Sequence, residues 1–73
     1  MEGHIEIQID GKEYRAPSSE MTGLQIKELA AIAAGDQLFE RETGGDVPIF
    51  NDTAVTVHSG LKFFHLPGSI TAG

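Results

Sequence analysis

The chain has 73 residues, no cysteine, and five basic against eleven acidic residues, a net charge of −6. At this length only about 60% of the unfolded surface is buried on folding, so the chain can hold one thin core. The missing cysteines exclude disulfides, thiolate metal sites and a catalytic thiol, and the acidic balance argues against nucleic acid or an anionic membrane as the main partner.

His4 to Asp10 alternates strictly, with Ile5, Ile7 and Ile9 against His4, Glu6 and Gln8. Period two with three β-branched residues predicts a half-buried strand. Asp10-Gly11 is a dipeptide that closes tight hairpins, and Lys12 to Ala16 resumes the alternation with Tyr14 and Ala16 on one face. Pro17 ends that strand, having no N–H for the ladder. A helix start follows. Thr22 and Gln25 form a capping box, and Met21 and Ile26 stand at the two positions of a hydrophobic staple. Ile26, Leu29, Ala30 and Ala33 give the buried stripe of a helix of about three turns. Lys27 and Glu28 fall on its outer side, and Gly35 is placed to cap its end.

Beyond the helix, Gln37 to Glu42 predicts a short strand and Thr43 to Asp46 a turn. Val47 to Phe50 is a brief extended segment that Pro48 confines to an edge. Asn51-Asp52 turns the chain, Ala54 to Val57 is a short apolar stretch, and Ser59-Gly60 is another turn. Lys62 to Leu66 is the last strand, and residues 67–73 form a tail with few anchoring groups, expected to be mobile. One amphipathic helix on one face of a mixed sheet of four to five strands is an α+β two-layer domain over residues 1–66. The first strand, with the cleanest apolar face, belongs near the middle. A last strand parallel to it would complete a β-grasp sheet.

Several of these pieces resemble ubiquitin-like proteins over residues 4–66: the Ile5/Ile7/Ile9 strand, the Asp10-Gly11 turn, and Pro17 followed by the helix capped at Thr22. The resemblance is closer to the bacterial multi-ubiquitin family of ubiquitin-like domains. Asp10-Gly11-Lys12, Tyr14 to Pro17, Thr22 to Ala30, Asp36 to Phe39, Gly44-Gly45-Asp46 and Phe63 to Pro67 match its pattern in order and spacing. Multi-domain members chain several copies, and this sequence holds one. The resemblance implies a protein modifier whose C-terminal carboxylate is adenylated with ATP by a separate enzyme, then passed to a nucleophile and on to a target amine. It also implies activating-enzyme-like and conjugating-enzyme-like proteins, a metal-dependent isopeptidase and protein targets as partners. On this reading the chain is not itself an enzyme and carries no cofactor.

The carboxylate would be that of Gly73, next to the small Ala72; glycine leaves the reacting carbonyl unhindered. The sequence ends Thr71-Ala72-Gly73 where conventional ubiquitin has paired glycines, and processing at Gly68 would leave two residues beyond Leu66. A second candidate is a recognition surface. Alternation turns Leu38 and Phe63 inward and leaves Phe39, Phe64 and Leu66 on the open sheet face, where exposed aromatics mark interaction sites. The opposing expectation is a phase shifted by one residue, with Phe39 or Phe64 in the core. His4, His58 and His65 lack metal-ligand spacing; His4 and His65 could neighbour one another across parallel first and last strands, which reads as a surface pair. Lys12, Lys27 and Lys62 are possible acceptors of further modifier units and are equally ordinary surface charges.

Two rival functions share the fold. A sulfur carrier would hold a thiocarboxylate on its terminal glycine, and a non-conjugated assembly domain would use the Phe39/Phe64 surface or a sheet edge. No apolar run approaches the roughly 18 residues of a membrane span. Met1 to His4 lacks the features of a signal peptide, so a cytoplasmic protein is expected.

Overall fold

A computed structural model describes residues 4–68. The expected hairpin is formed by β1 (Ile5–Ile9) and β2 (Lys12–Ala16), antiparallel with Ile7 opposite Tyr14. Asp10 and Gly11 both have positive φ, 56° and 81°. That is the backbone of a two-residue turn whose twist matches its strands, and it is why an Asx-Gly pair is needed there.

The chain then forms β3 (Glu20–Thr22), the helix α1 (Gly23–Leu29), β4 (Gln37–Glu42), β5 (Gly45–Ile49), β6 (Ala54–Thr56) and β7 (Lys62–Leu66). The main sheet runs β2-β1-β7-β4-β5, with β1 and β7 parallel and the other neighbours antiparallel. The last strand therefore takes the centre, and β1 lies beside it, paired on both sides. Pro48 sits in β5 at the edge, opposite Phe39, where a missing N–H costs no ladder bond. One helix on one face of this mixed five-stranded sheet is the ubiquitin-like β-grasp arrangement.

A second, two-stranded sheet pairs β3 with β6. Within the apolar stretch at 54–57, Ala54–Thr56 is thus a strand, and its partner has no alternation of its own to announce it. Three residues are too few to show a period.

The core contains Ile7, Ile9, Met21, Ile26, Leu38, Ile49, Val55 and Phe63, with Leu29, Ala30 and Ile32 packed against it. Fully burying each large side chain contributes roughly 1.5–3 kcal/mol. The helix begins as expected. The Thr22 hydroxyl accepts from the Gln25 amide, and the Gln25 side chain accepts from the Thr22 N–H. Met21 and Ile26, the staple pair, are both buried. The amides of Gly23 and Leu24 donate to the carbonyls of Thr53 and Asn51, so a distant turn satisfies two further groups of the first turn.

The helix end differs from expectation. It stops at Leu29 after two turns, and Gly35 is not its cap. The Ala31 N–H donates to the Glu28 carbonyl and the Ile32 N–H to the Lys27 carbonyl, a Schellman closure. The left-handed residue in it is Ala31, at φ 59°. A non-glycine residue there costs about 1–2 kcal/mol. The offset comes from Ile32, which the closure brings onto the core, and from Lys27. Ala33, expected in the buried stripe, is exposed.

Lys27 is the second correction. Expected on the outer side, it is 3% exposed. Its ammonium donates to the carbonyls of Ala34 and Asp36 and to Asn51 Oδ1, at 3.0, 2.5 and 2.7 Å. All three protons are used. They draw the 31–36 loop back along the helix and tie it to the turn after β5, so a third helical turn cannot form.

Candidate functional site

The open face of the sheet carries the aromatic pair. Phe39 in β4 lies directly opposite Phe64 in β7. Their rings stack with centroids 5.1 Å apart and planes 14° from parallel. Such pairs contribute about 0.5–1.5 kcal/mol beyond burial. The guanidinium of Arg41 lies 4.7 Å from the Phe64 centroid, a cation–π contact. Leu38 and Phe63 point into the core at 1% and 2% exposure, so the phase of both strands is the one expected, and Phe39 and Phe64 are half-buried on the opposite face.

Register extends the surface. Pro48 stands opposite Phe39 and continues the row onto the edge strand. Leu66 lies two residues beyond Phe64 on the same face and is 45% exposed. Phe50, just past β5, is 66% exposed, the most exposed large apolar side chain among the described residues. With Phe39 and Pro48 it borders a shallow cavity of about 310 Å³. Neither Phe50 nor Arg41 is marked out by the sequence pattern on its own. Arg41 was accessible from period two, since it follows Phe39 by two residues. Phe50 was not, because a strand at an edge does not declare where its alternation stops.

The other face of β4 carries Glu40 and Glu42. Glu40 pairs with Phe63 and Val47. Its carboxyl is pushed above the ordinary glutamate range, first by burial, then by the charge of Glu42 and a hydrogen bond with it, with His58 opposing. An acid whose folded pKa is raised contributes full stability below its unfolded pKa and loses it as pH rises through the folded value. Glu40→Gln should therefore raise the urea midpoint at neutral pH, with the advantage gone below about pH 4. An equal gain at both pH values would refute this.

His4 and His65 are not neighbours. The β1/β7 register sets Gln8 beside Lys62, so the two histidines lie toward opposite ends of β1. His4 gives its carbonyl to the Ser59 hydroxyl. His65 instead meets Asp10, through its Nδ1 at 2.5 Å from Oδ2 and its backbone N–H donating to Oδ1 at 3.0 Å. Its Nε2 is 3.7 Å from Asp36 Oδ2. Among the described residues no group of three or more His, Asp or Glu side chains has metal-site geometry.

At the start of the tail, Gly68 donates its amide to Asp36 Oδ1 at 2.9 Å. Ala72 and Gly73 lie outside the described residues.

A family model for Multiubiquitin matches residues 5–67. The chain belongs to the Multiubiquitin family. The match spans β1 through the end of β7, so the Multiubiquitin domain is the whole β-grasp unit, with the aromatic pair inside it. No curated protein and no solved structure matches the chain. No helix among the described residues is long and apolar enough to cross a membrane.

Proposed function

We propose that this Multiubiquitin domain is a ubiquitin-like protein modifier, recognised through its open sheet face and attached through the carboxylate of Gly73. A partner activates that carboxylate with ATP, and the product is conjugated to protein amines. The observation that carries this reading is the course of β7. The same strand that presents Phe64 and Leu66 runs straight into the tail, so one partner can hold the face and the tail together. Activating and conjugating enzymes, an isopeptidase and protein targets are the partners this chemistry requires. The cytoplasm, where ATP is available, is its setting.

Incubation with the cognate activating enzyme and ATP should give covalent adducts that disappear when Gly73 is deleted. Undiminished conjugation by the truncated protein would defeat the proposal. Mass spectrometry of protein from cells separates the rivals: isopeptide-linked adducts for a modifier, sulfur in place of oxygen at the terminus for a sulfur carrier, an unmodified terminus for an assembly domain.

The double variant Phe39→Ala, Phe64→Ala should bind the activating partner about 30-fold more weakly, the loss of one hot spot of about 2 kcal/mol. It should remain folded, because neither ring belongs to the core cluster. A double variant that is unfolded at 25 °C would place the rings in the stability of the domain instead.

A further inference from the structure

By composition the anchored chain ends at Leu66, with residues 67–73 as the tail. The described residues past that point are nevertheless held. Pro67 offers its carbonyl to the Gln37 side-chain amide at 3.4 Å, and Gly68 donates to Asp36 Oδ1 at 2.9 Å in a partly buried contact. Gly68 also lies against the 33–36 loop. A Cβ built on it would stand 2.0 Å from the Gly35 carbonyl oxygen and 2.7 Å from its carbon. That approach is open only to glycine, since both contacts are with backbone and neither can swing aside.

Asp36 is itself held from three directions. Its N–H donates to Ala33, its carbonyl accepts from the buried ammonium of Lys27, and its second carboxylate oxygen faces the His65 ring. His65 is bound in turn to Asp10 in the β1–β2 turn. The carboxylate that meets Gly68 is thus fixed by the core lysine on one side and by the hairpin turn on the other.

We infer that Asp36 is a positioning residue for the tail: with Gly35 it roots the chain at Gly68 and sets the point and direction from which a partner takes hold of the residues beyond. The root itself is independent of any enzyme; its role in reaction at Gly73 rests on the modifier reading. Gly68 is on this account a glycine of close approach, not a processing end. Fixing the root in advance removes ordering entropy that a partner would otherwise supply on binding.

The test begins with amide hydrogen exchange in the isolated protein. In the native chain the Gly68 amide should be protected. Asp36→Ala should speed its exchange about tenfold or more while the Phe63 amide in β7 is unchanged. Asp36→Asn, which keeps an acceptor oxygen, should retain protection. Gly68→Ala, at the end of the fold and unable to unsettle its core, should expose the same site by steric exclusion. An unprotected Gly68 in the native chain, or no change in Asp36→Ala, overturns the root. So does a loss in Asp36→Asn as complete as in Asp36→Ala.

With the activating enzyme, Asp36→Ala and Gly68→Ala should raise KM about three- to tenfold at unchanged kcat, with Asp36→Asn near native. Unchanged KM in both variants overturns the positioning role. If the native protein forms no adduct at all, the modifier reading fails instead, and with it the role in reaction, while the exchange data judge the root by themselves.

Discussion

Lys27→Met is expected to destabilise the domain by about 3 kcal/mol, because it removes a buried ammonium with three charge-assisted hydrogen bonds and keeps most of the stem. The cost lies in what is left behind. Asn51 Oδ1 and the carbonyls of Ala34 and Asp36 lose their shared donor, and the loop between α1 and β4 loses its tie to the turn after β5. For a chain of this length total stability is of the order of 4–11 kcal/mol, so the loss is a large fraction of it. Urea denaturation should show a lower midpoint at unchanged slope. A loss below about 1 kcal/mol would mean that water replaces the ammonium without difficulty.

The same burial decides which amines the domain presents. Lys12 and Lys62 are exposed, while Lys27 is enclosed. An amine-reactive label should modify Lys27 at least about tenfold more slowly than the other two, because reaction there requires local opening. Of the three candidate acceptors for further modifier units, Lys27 is therefore removed in the folded state.

Gly23→Ala is expected to cost about 3 kcal/mol, although alanine is the better helix former by about 1 kcal/mol. Gly23 is buried at the first position of α1, under the end of β5. A Cβ there would stand 2.1 Å from the Phe50 carbonyl oxygen, 2.9 Å from its carbon and 3.1 Å from Ile49 Cγ2. The Phe50 carbonyl also accepts from the Thr53 amide, and Thr53 accepts from Gly23 itself. The backbone cannot retreat without opening that turn. Thermal unfolding should show the midpoint falling by about 4–8 °C per kcal/mol lost. A variant as stable as the native chain would show that helix propensity outweighs the contact. The glycine after the Thr22 cap is thus explained by a neighbour 27 positions along the chain, not by the helix it opens.

Much of the domain is legible without coordinates, and the legible parts share a reason. The Asp10-Gly11 hairpin, the Thr22–Gln25 cap, the Met21–Ile26 staple and the inward phase of Leu38 and Phe63 are each dictated by residues a few positions apart. Local sterics and hydrogen-bonding valence select one answer there. The stacking of Phe39 on Phe64 needed one further step, the antiparallel pairing of β4 with β7, which the two alternating phases make compatible.

Only the tertiary structure decided the rest. Whether Lys27 faces solvent depends on three oxygens brought to it from the 34–36 loop and from Asn51. Helix periodicity is silent about acceptors that arrive from elsewhere. The helix stops at Leu29 and closes through the left-handed Ala31 because Ile32 gains the core and Lys27 gains the loop, while the glycine that looked like a cap, Gly35, serves as a wall for Gly68. The strand β3 exists because β6 offers it a ladder. Composition, alternation and capping determined that this chain is an α+β domain, one helix on a mixed sheet with an aromatic face; the parallel pairing of β1 with β7 makes it a β-grasp. Long-range contacts, formed when the chain closes on itself, determined which lysine is hidden, which glycines are indispensable and where the tail is rooted.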